Sequence, residues 1–499
     1  MNFFILNYAF APLSLIIYMM KKQVYNPYLP LYEYTPDCEP HIFNDRVYVY
    51  GSHDQFGAFQ FCHNSYVAYS ASINDLSDWK YEGVILDKKE DPDNKKGKMD
   101  LYAPDVACGP DKRYYIYYAF SWTGKIGVAV SSSPAGPFKF LGHVHYKDGT
   151  ELGRKKGDAF HFDPAIFVDE DNRVYLYSGF GAVSWFPQIK HGLKPKGGFV
   201  IELEQDMVTI KSAPLKIMSK PNDKINLNGA SKEHAFFEAS SLRKIKDTYY
   251  FIYSSLNGHE LCYMTSPSPI GPFQYQGVII SNGDVGLNGR TKKEACYPLG
   301  NNHGSIIKVK KQWYVFYHRH TNYTNTDRQD CAEKIDIDKN GKIKQVEMTS
   351  CGLNDGPLSG KGIYPSSICC CLKPFEGNIF YPFFRLPHQK NKTYITQAKK
   401  DNEEEESQYI HAIKNGCLIG YKYFDLSKSS EIKLHLIGKF KGTISLKFSE
   451  NGKAEFNTEI NHIKDEIVSI KFNCDSDESG LYLYFKGKGK LDFTQFELI

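Results

Sequence analysis

One strand–turn–strand unit recurs five times along the chain, and this repeat restricts the possible folds more than any other feature. Each copy has a polar residue beside a small residue or proline, then an apolar strand, a tight charged turn and an aromatic strand. The copies read CEPHIFNDRVYVYGSHD, YAPDVACGPDKRYYIYYAF, HFDPAIFVDEDNRVYLYSGF, FEASSLRKIKDTYYFIYSS and NHGSIIKVKKQWYVFYHRH. Their polar heads are Glu39, Asp105, Asp163, Glu238 and His303, spaced by 66, 58, 75 and 65 residues. This spacing indicates five similar structural units.

A second recurring motif supplies the rest of several units. The segments SASINDLSDWKYEG, VSSSPAGPFKFLG and MTSPSPIGPFQYQG read as third and fourth strands joined by a turn. Long amphipathic helical patterns are scarce, so the chain is predicted to be all-β. Five units of about four strands each are what a five-bladed β-propeller requires, and we predict that propeller over residues 23–375.

The heads of the five units are predicted to face one axial space, because the innermost strand of every propeller blade lines the central axis. Four heads are carboxylates and the fifth is a histidine. Any single head could be a structural hydrogen-bond acceptor, but several carboxylates in one cavity repel each other and are costly to bury. Such a cost is more often tolerated where the chemistry uses it, and paired carboxylates facing a pocket indicate glycoside hydrolysis.

These heads and their order resemble glycoside hydrolase family 43, the five-bladed propeller group of β-xylosidases and α-L-arabinofuranosidases. The resemblance implies an inverting hydrolase with a general base on the first blade. By the motif FDPAIFVDEDNRVYLYSG it makes Asp163 the residue that modulates the acid's pKa, and by FFEASSLRKIKDTYYFIYSS it makes Glu238 the general acid. It also implies that His303, in NNHGSI, helps to hold a central metal ion, commonly calcium, through water; a satisfied core histidine is the alternative.

The general base on the first blade has two candidates. The family has an Asp directly before a proline, whereas here Glu39 precedes Pro40 and Asp37 lies two positions earlier. The repeat register favours Glu39, because EPHIF overlays DPAIF residue for residue, while the residue type favours Asp37. We expect Glu39 to be the base and keep Asp37 as the alternative.

Three polar residues near the predicted cavity are candidate sugar contacts. His53 and Asp54 end the second strand of the first unit, where they could bind a sugar or cap a turn. Asp105 heads the second blade and is expected to bind substrate hydroxyls.

Three further candidates lie in loops or late in the propeller. Trp185 follows the third unit and could be a stacking platform or part of the core. Arg319 and Arg328, in YHRHTNYTNTDRQ, could clamp the substrate or lie at the surface.

The pattern changes after about residue 375. The charge run AKKDNEEEESQ reads as a loop or boundary, and short alternating strands follow it to the end of the chain. Residues 376–499 are therefore predicted to form a β-sandwich. Its segments GYKYFDL and GLYLYFKGKGKLDFTQFEL resemble a family 6 carbohydrate-binding module, which implies either sugar binding or a bracing role.

The N-terminal residues 1–22 and the cysteines bear on the location of the protein. The apolar run lacks a preceding basic region and a following cleavage site, so an over-extended start or a weak anchor is favoured over a signal peptide. The twelve cysteines form no disulfide-like or zinc-like pattern. Together these features favour the cytoplasm, while apolar residues 2–20 leave a membrane-anchored or secreted form open.

The sequence thus predicts an exo-acting glycosidase that removes xylose or arabinofuranose from hemicellulose oligosaccharides and needs no cofactor for its chemistry. A net charge of +4 gives no reason to expect nucleic acid as a partner, and no strong membrane association is expected. The alternative is a non-catalytic glycan-binding propeller in which Glu39 marks a lost base. Sugar specificity, exo against endo action and the oligomeric state are left open.

Overall fold

The fold of the protein is taken from a computed structural model. The structure describes residues 23–183, 188–223, 228–374, 381–382, 391–398, 401, 408–461 and 464–499, so the expected N-terminal segment 1–22 lies outside the described residues. The described chain is almost entirely β-structure, which confirms the predicted all-β class. Its helical segments are single 3₁₀ turns at Pro92–Asn94, Asn282–Asp284, Leu287–Gly289, Lys292–Glu294 and Ser366–Ile368. Within the described residues, no helix has the length and apolar character needed to span a bilayer.

Five small antiparallel sheets follow one another along the chain. Blade 1 contains β1 (Glu39–Phe43), β2 (Arg46–Tyr50), β3 (Tyr66–Ser72) and β4 (Asp75–Leu86). Blade 2 contains β5 (Leu101–Cys108), β6 (Tyr114–Phe120), β7 (Ile126–Ser131) and β8 (Lys139–His143). Blade 3 contains β9 (Ala165–Val168), β10 (Val174–Phe180), β11 (Gly197–Leu203) and β12 (Leu215–Met218).

Blades 4 and 5 complete the ring. Blade 4 contains β13 (Phe236–Ile245), β14 (Thr248–Ser255), β15 (Glu260–Ser266) and β16 (Gln274–Ser281). Blade 5 contains β17 (Ile306–Val309), β18 (Gln312–His320) and β19 (Arg328–Ile335). The first strands of blades 1 to 4 touch in turn, Arg243 of β13 donates to the Ile306 carbonyl oxygen of β17, and β17 touches β1, so the sheets close around an axis. The predicted five-bladed propeller is confirmed.

Local sequence explains the hairpin that begins blade 1. Asn44 and Asp45 have φ of 49° and 59°, the left-handed pair that a two-residue type I′ turn requires, and Phe43 pairs with Arg46 across it. The aromatic second strands are buried on both faces because each blade packs between two others. In β14, for example, every residue after Thr248 is buried.

The C-terminal strands form one large sheet. Its members are β20 (Leu358–Ser359), β21 (Gly362–Pro365), β22 (Cys371–Lys373), β23 (Tyr394–Gln397), β24 (Gln408–Ile413), β25 (Leu418–Asp425), β26 (Glu431–Lys447), β27 (Phe456–Asn461), β28 (Asp465–Lys471) and β29 (Ser479–Leu498). This sheet is consistent with the predicted β-sandwich. Since its strands begin at Leu358, we propose that the C-terminal unit starts between Ile335 and Leu358 rather than at residue 376.

One continuous apolar core joins the propeller to the C-terminal sheet. Tyr263 and Tyr297 from the propeller side belong to the same buried cluster as Leu372, Tyr421 and Phe496 from the C-terminal side. A separate buried cluster fills the space between blades 3 and 4.

We predict that Phe251→Ala weakens the propeller between blades 3 and 4. Phe251 is fully buried and its ring lies against Tyr177, Phe236 and Phe273. Its removal leaves a cavity, so the free energy of unfolding should fall by about 3–5 kcal/mol in urea titrations. The matched control is Phe59→Ala, because the Phe59 side chain is 61% exposed. Equal losses in both variants would contradict the prediction.

Candidate active site

A cavity of about 120 Å³ lies where the heads of several blades meet. Its polar lining comes from Asp37, Asp163, Glu238, His303, Arg328 and Asn301. The apolar walls are the rings of Phe61, Tyr102, Trp122, Phe162, Phe180 and Phe237. The tertiary structure therefore brings three carboxyl groups, one imidazole and one guanidinium to a single small space.

Asp37 enters this cavity because its backbone is left-handed, with a φ of 62°. Arg328 Nη1 donates to Asp37 Oδ1 at 2.8 Å in a charge-assisted hydrogen bond. The Asp37 backbone N–H donates to His318 Nδ1 at 3.3 Å, and His318 Nε2 lies 2.9 Å from the Asn301 carbonyl oxygen. Accepting at Nδ1 and donating at Nε2 requires a neutral imidazole, and burial lowers the pKa of His318 well below its usual value. Asp37 is thus held at both its backbone and its carboxylate.

Asp54 orients the arginine that holds Asp37. Arg328 Nε donates to Asp54 Oδ2 at 2.8 Å and Arg328 Nη2 donates to Asp54 Oδ1 at 2.9 Å, a bidentate pair that is fully buried. The Cys62 backbone N–H also donates to Asp54 Oδ1. Asp54, predicted as a sugar contact or turn cap, therefore fixes Arg328 from behind and does not line the cavity.

Glu39 lies behind the cavity, near the axis. Arg243 Nη2 donates to Glu39 Oε2 at 2.7 Å, and the Ser241 hydroxyl donates to the same oxygen at 3.0 Å. Although burial favours the neutral form, the charges of Arg243 and His303 lower the pKa of Glu39. The expectation that Glu39 faces the cavity is not met, and Asp37 takes that place.

The backbone explains why the repeat register was misleading in blade 1. Asp163 lies two residues before the first residue of β9 and has a φ of 43°. Asp37 lies two residues before the first residue of β1 and is also left-handed. Measured from the strand starts, Asp37 is therefore the counterpart of Asp163, whereas Glu39 is already the first strand residue.

Asp163, Glu238 and His303 form one electrostatic group. Burial and the charge of Asp37 raise the pKa of Asp163 to about 7, against the opposing effect of His303. Burial and the charge of Asp163 raise the pKa of Glu238 well above its usual value. Although burial opposes protonation, Glu39, at 3.8 Å, and Asp163, at 3.7 Å, help to raise the pKa of His303 to about 9. Burial and the neighbouring negative charge thus both favour the protonated form of Glu238.

Two predicted sugar contacts have structural partners instead. His53 Nδ1 lies 2.9 Å from the Ser65 carbonyl oxygen, which fits a role in holding a loop. Asp105 Oδ1 lies 2.6 Å from His41 Nε2, and Asp105 Oδ2 accepts from the Ile166 N–H at 2.8 Å. Asp105 thus ties blade 2 to blades 1 and 3, and neither residue lines the cavity.

Of the other two candidates, the structure describes only Arg319, which does not line the cavity. Arg319 is buried, and its guanidinium donates to the Ser367 carbonyl oxygen at 2.7 Å and to Gln329 Oε1 at 3.0 Å. It therefore links blade 5 to the C-terminal unit and is neither a clamp nor a surface residue. Trp185 lies outside the described residues.

Sequence reasoning missed the aromatic walls. Phe162 and Phe237 directly precede Asp163 and Glu238, so their position beside the two acids was a usable signal. The Trp122 and Phe162 rings lie nearly parallel, 6.0 Å apart, although Trp122 comes from a loop whose position no repeat predicts. Such walls suit a sugar ring, which presents apolar C–H faces to aromatic side chains.

A five-bladed propeller whose axial cavity holds an arginine-paired carboxylate opposite a carboxyl group of raised pKa defines a class of glycoside hydrolase. The comparisons agree with this class. A sequence profile for "Glycosyl hydrolases family 43" matches residues 26–343. A xylosidase/arabinosidase of Thermoclostridium stercorarium is 44% identical over 482 residues, which cover 96% of this chain and 99% of that protein. The chain belongs to glycosyl hydrolase family 43.

One further sequence comparison supports the same assignment, and one structural comparison supports the fold. A xylosidase/arabinosidase of Bacteroides ovatus is 30% identical over 316 residues, covering 58% of this chain and 87% of that protein. An arabinoxylan arabinofuranohydrolase structure from Bacillus subtilis matches with a TM-score of 0.50 at 20% identity, covering 95% of this chain and 97% of that one. The second match shows the fold. The findings support a hydrolase and not the non-catalytic alternative.

We predict that Asp105→Ala destabilises the propeller without weakening substrate binding. The change leaves His41 and the Ile166 N–H without their shared acceptor, so the free energy of unfolding should fall by about 3–5 kcal/mol. KM should stay at its wild-type value, because Asp105 does not line the cavity. Thermal unfolding and steady-state kinetics below the transition test both parts. A raised KM with unchanged stability would restore Asp105 as a substrate contact.

Proposed function

We propose that the protein is an inverting, exo-acting glycosidase that removes terminal xylose or arabinofuranose units from hemicellulose-derived oligosaccharides. The observation that carries the proposal is the pairing of Asp37 with Arg328 in the same cavity as Glu238, whose pKa is raised. The small volume of the cavity favours a single sugar unit and hence exo action. The relatives named xylosidase/arabinosidase support these two sugars as the substrate class.

The proposed reaction divides acid and base work between two carboxyl groups. Protonated Glu238 donates its proton to the glycosidic oxygen as the bond to the anomeric carbon breaks. Asp37 accepts a proton from a water molecule, whose oxygen bonds to the anomeric carbon from the opposite face and inverts its configuration. Asp163 keeps Glu238 protonated by charge repulsion.

A calcium ion near His303 remains part of the proposal as a structural ion. Glu39 Oε1 is buried without a hydrogen-bond partner among the described residues and lies 3.8 Å from His303 Nε2. Glu39 Oε1 is the atom of this pair that fits a calcium ion, because an imidazole whose pKa is raised to about 9 keeps its proton near neutral pH. His303 would therefore contact the ion only through water, which would supply most of its six to eight ligands. Such an ion would add positive charge near Asp163; acid–base hydrolysis itself needs no cofactor.

We propose a cytoplasmic location. All twelve cysteines are free thiols and most are buried, which is what a reducing compartment favours.

Sugar binding by the C-terminal sheet stays a prediction.

We predict that Asp37→Asn and Glu238→Gln impair catalysis in different ways. Loss of the acid should lower kcat on xylobiose by roughly 10²–10⁴-fold, and less on p-nitrophenyl glycosides, whose leaving group needs little protonation. Loss of the base should lower kcat on both substrates, because water must be activated in either case. Comparing the wild-type rates on p-nitrophenyl β-D-xylopyranoside and p-nitrophenyl α-L-arabinofuranoside also identifies the preferred sugar.

The matched control is Glu39→Gln, which alters the carboxylate held by Arg243 outside the cavity. It should lower kcat far less than Asp37→Asn in protein that is folded by circular dichroism. Collapse of turnover in Glu39→Gln, with activity kept in Asp37→Asn, would make Glu39 the base. NMR of the first-formed sugar should show the inverted anomer; the retained anomer would overturn the proposed mechanism.

We predict that Asp163→Asn moves the alkaline limb of the pH–rate profile to lower pH. Above a pH of about 7 Asp163 is charged, and this charge helps to raise the pKa of Glu238. Removing it lowers the pKa of Glu238, so the acid loses its proton at lower pH and kcat on xylobiose falls earlier. Asp169→Asn is the control, because Asp169 bonds Tyr249 and Lys244 away from the cavity. An unmoved limb would contradict the modulator role.

A further inference from the structure

The segment that leads to Asp37 is held by the C-terminal sheet. Tyr34, three residues earlier, is buried, and its hydroxyl donates to Gln397 Oε1 at 2.7 Å. The same hydroxyl accepts from Gln408 Nε2 at 2.9 Å. Gln397 and Gln408 face each other as paired residues of β23 and β24, so a single hairpin holds Tyr34 from two strands.

The same hairpin holds the loop that leads to Arg328. The Asn322 backbone N–H donates to the Ile395 carbonyl oxygen at 2.7 Å, and the Thr396 hydroxyl donates to Asn322 Oδ1 at 3.1 Å. Asn322 Nδ2 in turn donates to Asp327, the residue directly before Arg328. The loop is therefore tied to β23 through both backbone and side chain.

These two sets of contacts converge on one ion pair. Asp37 and Arg328 are 291 residues apart in the sequence and meet at 2.8 Å in the cavity. The segments before both residues rest on β23, and β24 adds the second contact to Tyr34. The family profile ends at residue 343, so this hairpin lies outside the region that the profile matches.

We propose that the β23–β24 hairpin of the C-terminal sheet is an integral part of the active site and positions the general base. Tyr34, Thr396 and Gln397 are positioning residues, which act on the reaction through Asp37 and Arg328. The inference rests on the proposed role of Asp37 as base. The C-terminal unit, which the sequence suggested as a separate sugar-binding or bracing module, would then determine the rate of hydrolysis in the propeller.

The test is Tyr34→Phe in the full-length protein. Misplacing the base by a fraction of an ångström to one ångström should lower kcat by on the order of 10- to 100-fold, with KM unchanged. The loss should be equal on p-nitrophenyl β-D-xylopyranoside and xylobiose, because activation of water is needed for both. A disturbance on the side of Glu238 would instead lower kcat on xylobiose alone.

Two other buried tyrosines provide matched controls. The Tyr177 hydroxyl donates to the Pro269 carbonyl oxygen at 2.7 Å within the propeller, and the Tyr421 hydroxyl donates to the Ser366 carbonyl oxygen at 2.9 Å within the C-terminal unit. Their Phe variants should lower the melting temperature but keep kcat. Thr396→Val removes only the hydrogen bond to Asn322 and should lower kcat equally on both substrates, as Tyr34→Phe does. If Tyr34→Phe does not fold, Thr396→Val tests the positioning role in its place.

The outcomes separate this inference from the proposed function. If Asp37→Asn keeps its turnover, the assignment of the base is wrong and the positioning role falls with it. If Asp37→Asn loses turnover while Tyr34→Phe and Thr396→Val keep the wild-type kcat, only the positioning role is overturned. A kcat loss confined to xylobiose, or a change in KM alone, would also overturn it.

Discussion

The buried pairing of Arg328 with Asp37 and Asp54 is the interaction on which the rest of the structure depends. Arg328 comes from blade 5, whereas both carboxylates belong to blade 1, where Asp37 precedes β1 and Asp54 follows β2, so the contact joins the two ends of the ring. Two carboxylates without a cation could not be buried together at an acceptable cost. The planar guanidinium of Arg328 donates two hydrogen bonds to Asp54 and a third to Asp37. The contact that closes the ring therefore also places Asp37, the proposed base, in the cavity.

The same cavity gives its carboxyl groups different surroundings. Asp37 has the Arg328 guanidinium at hydrogen-bond distance. Glu238 is buried beside Asp163, and both burial and that charge raise its pKa. Environment rather than residue type therefore distinguishes the proposed base from the proposed acid, as in other enzymes that use two carboxyl groups. His303 lies between Glu39 and Asp163, and its positive charge when protonated offsets the negative charge of these two carboxyl groups.

The remaining polar heads of the repeat hold the blades together. Asp105 joins blades 1, 2 and 3 through His41 and the Ile166 N–H. Arg243, from blade 4, binds Glu39 in blade 1 and the Ile306 carbonyl oxygen in blade 5. Carboxylates near the axis can therefore serve to join neighbouring blades.

The sequence by itself determined the all-β class, the five blades and the place of Asp163 and Glu238, because strand–turn–strand units are local and their periodicity is readable. It could not decide whether Asp37 or Glu39 lines the cavity. That choice depends on a left-handed φ at Asp37 and on Arg328, which lies 291 residues away. Nor could it place the aromatic walls or the hairpin behind Tyr34, because those contacts join segments that no repeat relates. Tertiary structure decided these points, since only closure of the ring brings the distant segments together.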